Sequence, residues 1–412
     1  MKKPVTREKV TDIYISLLLS AYILIIAPYT MISEVKYAAF LVLSGAYILA
    51  VAALSIKERT FPAPKPLVLL VAGYFLCTAV SAVLSEFDYN PIIGASRSDG
   101  LLTQLIYCLT FLSVAAFGRL RDRHIYLFGA TMTVYCALSI TQFLGLDILR
   151  LYPEGMTYLD GNVRYSGEYF GTLGNADFSS VLLGMSAAVM LLALIKKRNF
   201  LLFIPLALSL VCLFWARVAE GIVGFFGAAA VMAPLLLGRH GKWVAMAEAA
   251  LIAAGVIAVF FFDLGGTLGE AHAMLHGEVK DSFGSGRIGI WRAVIGEIPK
   301  HPLFGGGVDS MIKWDIEPFS RVVGGKTIYR YIDCAHNEYL NVLAQQGLFA
   351  FLCAVGALAY SLRRAIKSGG NIALAGALSY AISAFFGISM FIITPVFLLF
   401  LAASVNNKSS EG

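Results

Sequence analysis

SGRIGIWRAVIGEIPKHPLFGGG (Ser285–Gly307) and DCAHNEYLNVLAQQGLFAFL (Asp333–Leu352) bracket the stretch on which the reading of this chain turns. Together they carry Arg, His, Glu, Asn and Gln in a chain that is otherwise strongly apolar. Of its 412 residues 58% are hydrophobic and only 14% charged, with a mean hydropathy of +0.75. An ordinary soluble domain is ~25% charged, so the composition is that of a polytopic membrane protein. A long polar stretch inside such a chain is where polar chemistry is expected.

Working outward, the apolar runs set the fold class. A hydrocarbon core ~30 Å thick takes roughly 20 residues of helix. Twelve stretches qualify: 13–32, 36–56, 67–85, 101–118, 124–144, 177–195, 200–216, 220–237, 243–263, 338–362, 372–388 and 390–405. The expected fold is an all-α transmembrane bundle of about twelve spans with one large extracytoplasmic loop containing short helices. It divides into helices 1 to 9 (1–263), the large loop (264–337), and helices 10 to 12 with a short tail (338–412). The last two runs are separated only by a turn near Gly387–Met390 and also read as one kinked helix. The start MKKPVTREK has the basic character of a signal peptide, but no small-residue cleavage site follows, and it reads as an uncleaved first helix.

Lys and Arg set the orientation. The N-terminal cluster (Lys2, Lys3, Arg7, Lys9), Lys57/Arg59/Lys65, Arg119/Arg121/Arg123, Lys196/Lys197/Arg198, Arg239/Lys242 and Arg363/Arg364/Lys367 fall on one side when twelve spans are threaded alternately. By the positive-inside rule that side, with both termini, is cytoplasmic. The three longer connections, 85–100, 145–176 and 264–337, are then extracytoplasmic. The net charge of +6 is spent on these orienting clusters, so nucleic acid is not implied. Five of the six cysteines lie in apolar runs and Cys334 alone in a polar one, which argues against a disulfide framework. Glu248 is the one acid well inside a span, near its cytoplasmic end.

Within the large loop, Ile288, Trp291, Val294, Ile295 and Ile298 recur at helical spacing. They predict a short amphipathic helix at the outer interface, ended by Pro299 and Pro302. Gly305–Gly307 then make a turn that brings backbone close to another element. An irregular stretch with Lys313, Arg321, Lys326 and Arg330 leads to a helix entered at His336. The first turns of that helix, with Asn337, Asn341, Gln345 and Gln346, are too polar to face lipid.

Four residues stand out, each with two readings. His336 is either a neutral imidazole able to take a proton from an acceptor hydroxyl or a helix cap at an aqueous edge. Arg217 (in FWARVAEG), Arg287 and Arg292 sit on the outer side, against the positive-inside bias. They are either phosphate-binding forks or structural ion pairs, most simply Arg217 with Glu220 at i, i+3. No local carboxylate pair or His–x₃–His suggests a metal, although Asp88, Asp99, Asp160 and Asp177 are free to converge in space. Cys334 reads as an incidental thiol.

Arg287–x₃–Trp291, HPLFGGG (His301–Gly307) and HNEYLNVLAQQG (His336–Gly347) together resemble the O-antigen ligase and O-antigen polymerase superfamily, bacterial membrane glycosyltransferases. GTLGNADFSSVLLG (Gly171–Gly184) and FWARVAEG are similar to further segments of that family, with Asp177 where many members have Asn and Gln345 where an acid is common. The resemblance covers the C-terminal two thirds. It implies an inverting, metal-independent enzyme without cofactor in the bacterial cytoplasmic membrane, its active site extracytoplasmic. Its donor would be a glycan on undecaprenyl pyrophosphate and its acceptor a glycan, lipid or protein. His336 would be the base, Arg217 and Arg287 the pyrophosphate ligands, and Arg292 a supporting cation. The alternative from another class is a transporter or flippase for the same lipid-linked glycan, which would keep cations along an internal path.

Overall fold

The computed structural model describes residues 5–151, 159–160, 163–164, 171–323 and 326–406. Lys2, Lys3, much of the 145–176 connection and the tail beyond Asn406 lie outside the described residues. The helices are α1 (Arg7–Leu18), α2 (Ala21–Leu24), α3 (Ile32–Glu58), α4 (Lys65–Leu84), α5 (Leu101–Phe117), α6 (Asp122–Phe143), α7 (Ala176–Lys197), α8 (Phe203–Ala216), α9 (Ala219–Leu236), α10 (Gly241–Phe261), α11 (Gly266–Leu275), α12 (Arg287–Glu297), α13 (Glu338–Lys367), α14 (Ile372–Ser383) and α15 (Thr394–Val405). Each of the twelve expected stretches carries helix. Seven of the described helices are long and apolar enough to cross a membrane, and four more, around α5, α8, α14 and α15, are apolar but shorter. Lipid-sized side chains such as Val42, Leu49, Leu69 and Val83 stand exposed around the bundle, as they do when lipid rather than water is the solvent.

The centre of the bundle is α7, buried along almost its whole length. A helix that is apolar all round belongs inside, and α7 gets there by being thin. A Cβ on Gly184 would collide with the Gly221 carbonyl of α9, one on Gly221 with the Ser180 carbonyl, and one on Gly224 with Ser383 of α14. Small residues at these crossings let three backbones meet at close range, the way helices pack where no hydrophobic force drives them together.

Two expectations change here. The first span is not one helix: it breaks after Leu18 and again after α2, and the carbonyls freed at Tyr22 and Ile23 accept from the fully buried Lys36 of α3 at 3.0 and 3.3 Å. An ionisable group inside the bundle was not anticipated, because Lys36 sits in the sequence as one charge near the start of an apolar run. The loop segment expected to be irregular contains an antiparallel hairpin, β3 (Phe319–Val323) and β4 (Lys326–Arg330). The Gly324–Gly325 pair between two β-branched runs is the local signal for it. A second hairpin joins β1 (Leu159–Asp160) to β2 (Val163–Arg164). At the end of the chain one of the two readings is decided: α14 and α15 are separate helices joined by 384–393, not one kinked helix.

At 12 residues each, α14 and α15 are ~18 Å long, short of a ~30 Å hydrocarbon core. Their outer ends are tied together, since Asn371 Nδ2 donates to the Ser404 carbonyl at 3.2 Å. The connection 384–393 therefore lies within the protein, where irregular backbone is tolerated because its polar groups find partners. Around Asn371 and Ser404 the basic clusters gather. Arg7 pairs with Glu58 and bonds Thr60, Asp12 pairs with Arg121 and Arg123, Lys197 with Asp122 at 2.5 Å, and Lys196 donates to the Gly370 carbonyl at 2.6 Å. One end of the bundle is thus a contiguous basic rim, and the 85–100 and 284–347 segments pack at the other.

Candidate functional site

Helix α13 starts at Glu338, with Asn337 as its cap: the Asn337 side chain accepts from the Leu340 N–H at 3.1 Å. His336 is therefore outside the helix, and the capping alternative for it falls away. Its backbone is left-handed (φ 46°), a region rare for residues with a Cβ and kept only where neighbours over-determine it. Here they do. The Ala335 carbonyl accepts from Trp291 Nε1 at 2.9 Å and the Ala335 N–H donates to Asn341 Oδ1 at 3.2 Å. Asp333 is gripped by Arg97, whose Nη2 lies 2.9 and 3.1 Å from its two carboxylate oxygens.

Helix α13 also breaks at Gly347 (φ 84°). The close approach expected of Gly305–Gly307 is to this break: Gly306 N–H donates to Ala344 O at 3.2 Å, Gly307 N–H to Gln345 O at 2.8 Å and Leu348 N–H to Pro302 O at 3.1 Å. A Cβ at Gly305 or Gly347 would strike the opposing backbone. Gln345 reaches from the short first segment to accept from the Ser310 and Met311 N–H groups at 2.9 and 3.2 Å. The polar first turns are thus buried in protein and hydrogen-bonded. The expected amphipathic helix is α12, but its apolar face packs inward: Ile290 and Val294 are buried with Met311, Trp314 and Ala344, while Ile295 remains exposed.

Of the predicted cations, the structure brings one close to His336. Arg287 opens α12 and is held by the Phe386 carbonyl (Nε, 3.1 Å) and the Gly284 carbonyl (Nη1, 3.2 Å); its charge acts on His336, Asp177 and Glu220. Arg292 lies on the exposed side of α12 and pairs with Asp281 at 2.7 Å. Arg217 is exposed, with a left-handed backbone (φ 53°) that ends α8. Because the chain turns there before α9 begins, Arg217 and Glu220 do not share a helix. The i, i+3 ion pair that was the alternative reading of Arg217 is absent, and Glu220 is buried with its Oε2 lacking a hydrogen-bond partner, against Gly387.

The residue that sequence reading missed is Arg97, from the loop before α5. Burial works against its charge, but Cys334 and Asp333 on one side and Asp309 on another hold it protonated above the usual arginine range. Its Nε–H is buried without an acceptor. Asp309 fixes the loop that carries it, accepting from the Arg97 and Asp99 N–H groups at 3.0 and 3.1 Å and from Ser96 Oγ at 3.0 Å. Arg97 stands in the 85–100 connection against the positive-inside bias, as Arg287 does in its own loop, and that was the sequence signal that could have found it. Asp99 and Asp177 do converge on this arginine, whereas Asp88 stays exposed. Among the described residues no three His, Cys, Asp or Glu come together as a metal site.

The electrostatics follow from these positions. Burial first, then Arg97 and Arg287, pushes the His336 imidazole down to about 4, against the opposing pull of Asp333. It is neutral at pH 7. Asp333 is held below the usual carboxylate range: burial opposes this, but Arg97 outweighs it. Asp99 is pushed well up by burial and then by Glu338 and Asp309. Burial pushes the Cys334 thiol up to about 12, which removes it as a nucleophile, as expected.

Among the described residues, this centre sets a neutral imidazole within reach of the charges of two arginines, Arg97 and Arg287. Residues 204–355 match the family model described as O-antigen ligase, which supports the resemblance to the O-antigen ligase superfamily. No curated protein matches the sequence. The matched segment contains Arg217, Arg287, Arg292 and His336, while Arg97, Asp99 and Asp177 reach the centre from outside it.

Proposed function

We propose that the protein transfers a glycan from undecaprenyl pyrophosphate to an acceptor hydroxyl at the outer face of the bacterial cytoplasmic membrane, as a ligase or a polymerase. What supports this reading is His336, neutral and within reach of the charges of Arg97 and Arg287, in the segment that matches the O-antigen ligase family model. His336 takes the acceptor proton as the acceptor oxygen attacks the anomeric carbon from the face opposite the diphosphate. The bond from that carbon to the diphosphate oxygen breaks, inverting the sugar, and the departing oxygen's negative charge is met by Arg287 and Arg97. Arg217 and Arg292, exposed at the rim, extend this positive surface toward the arriving donor.

An imidazole near 4 is neutral but a weak base. A bound diphosphate offsets the two arginine charges that lower it, so donor binding itself strengthens the base. The arginines supply the charge that a metal would otherwise provide, and transfer is expected to survive EDTA. The reading is tested with purified protein in liposomes, a lipid-diphosphate glycan and defined acceptors; absence of transfer, or transfer that EDTA abolishes and Mg²⁺ restores, overturns it or its metal-free form.

Twelve spans with cytoplasmic termini put the basic rim inside and His336 outside. A reporter active only outside the cytoplasm should therefore work when fused at Lys280 and stay silent at Ser368; the reverse pattern would place the centre on the wrong side for this donor. Arg287→Lys should lower transfer roughly tenfold to a hundredfold, because an ammonium cannot replace a fork that bonds carbonyls and phosphate together. That corresponds to a loss of ~1.5–3 kcal/mol. Full activity in the lysine variant would leave Arg287 a structural residue.

A further inference from the structure

A cavity of about 180 Å³ opens beside this centre, between α4, α5, α13, α14 and α15. Its walls are Val71, Phe111, Phe351, Leu358, Phe397 and Leu401. It runs alongside 104–111 of α5 and 394–401 of α15, ~10 Å at helical rise. One end is polar: Glu338, Gln104 and Ser389 line it. Glu338 stands two residues from His336, its carboxylate accepts from the Ser389 N–H at 2.9 Å, and its N–H donates to the Ala384 carbonyl at 2.8 Å. Gln104 accepts from Tyr74 OH at 2.8 Å. The space thus adjoins the candidate site through Glu338, apolar along its length and polar at one end, as an amphiphile is.

Two features select the occupant. An apolar cavity of ~150 Å³ stays dry and takes a benzene-sized guest, so the walls fit a short run of hydrocarbon. The mouth offers an anion no counter-charge: no Arg or Lys is among the residues that line the cavity, and the one ionisable carboxyl there is Glu338. The positive charge lies with Arg97 and Arg287 instead. We propose that this cavity holds the head-proximal apolar chain of the acceptor, an uncharged, hydroxyl-bearing amphiphile, with its hydroxyls at Glu338 and Gln104 next to His336. Calling the occupant the acceptor rests on the transfer reading; the binding itself does not.

The probe is n-octyl β-glucoside carrying a diazirine near the end of its alkyl chain, used below its micellar concentration on the full chain in nanodiscs. It should label residues 351–358 in a manner that unlabelled octyl glucoside competes. Labelling should fall at least tenfold in Ala354→Phe and in Leu398→Trp, which fill the cavity from opposite walls; the one that retains the wild-type thermal transition is read. An octyl diphosphate analogue should label weakly, and Glu338→Gln should raise its labelling. In the transfer assay octyl glucoside should compete with acceptor and not with donor. Equal or stronger labelling by the diphosphate, competition against donor, or labelling indifferent to both filled variants overturns the proposal. If the wild type transfers nothing, the transfer reading fails while the labelling still decides whether the cavity takes a neutral amphiphile.

Discussion

His336→Ala should leave a folded protein that still binds the lipid-linked donor and transfers glycan ~10² to 10⁴ times more slowly, the usual share of general-base catalysis. Folding is expected to survive because the helix cap belongs to Asn337 and the surrounding clamps, Arg97 on Asp333 and Trp291 on Ala335, do not use the imidazole. Relief of the left-handed backbone at position 336 is not obtained by alanine, so stability changes little. Donor binding and transfer measured on one preparation separate the outcomes. Transfer at the wild-type rate would remove His336 from the mechanism and turn attention to Asp99, Asp177 and Glu338.

The pH profile gives the sign an independent check. A base works deprotonated, so activity is lost as pH falls through its pKa. In the free enzyme, read by kcat/KM, that acidic limb should lie near 4, where burial and the two arginines put His336. In the donor complex, read by kcat, it should lie higher, because the diphosphate offsets those charges. Identical limbs in the two profiles would mean that the donor does not sit between Arg97 and Arg287.

The second large effect is expected at Arg97. Arg97→Met leaves Asp333 with an uncompensated charge; with the pair 22% and 29% exposed, the cost should be about 2 kcal/mol, between the ~1 of an exposed pair and the 3–5 of a buried one. Transfer should fall ~10²-fold, more than the lost stability accounts for, and the acidic limb should move up once this cation no longer faces His336. The double variant Arg97→Met/Asp333→Leu separates the roles, since replacing both partners by apolar groups is often near neutral for stability. If Arg97 binds diphosphate, the double variant recovers the thermal transition and not the activity. Recovery of both would make Arg97 a strut for the 333–337 segment and nothing more.

The apolar runs alone determined that this is a helical membrane protein, because a bilayer demands long apolar helices whatever their neighbours. The same physics made the HPLFGGG turn legible, since three consecutive glycines have few uses other than close approach. His336 stood out because a histidine joins a polar loop to a helix there, and Arg287 because it breaks the charge bias between the two sides. What these signals could not convey is which distant segments share the centre. Arg97 lies 236 residues from the Asp333 it holds, and no periodicity or local motif encodes that distance. Lys36 was equally invisible: only a helix that stops after Leu24 leaves the Tyr22 and Ile23 carbonyls free for a buried ammonium to bond. The ion-pair reading of Arg217 with Glu220 falls away for a local reason, a left-handed residue that ends one helix before the next begins. The unexpected inward turn of α12 has a tertiary cause, the Met311–Trp314 segment that covers its apolar face. Sequence fixes what each residue is able to do in lipid or water; which charges meet, and hence the state of the imidazole among them, depends on contacts that only the folded chain brings into range.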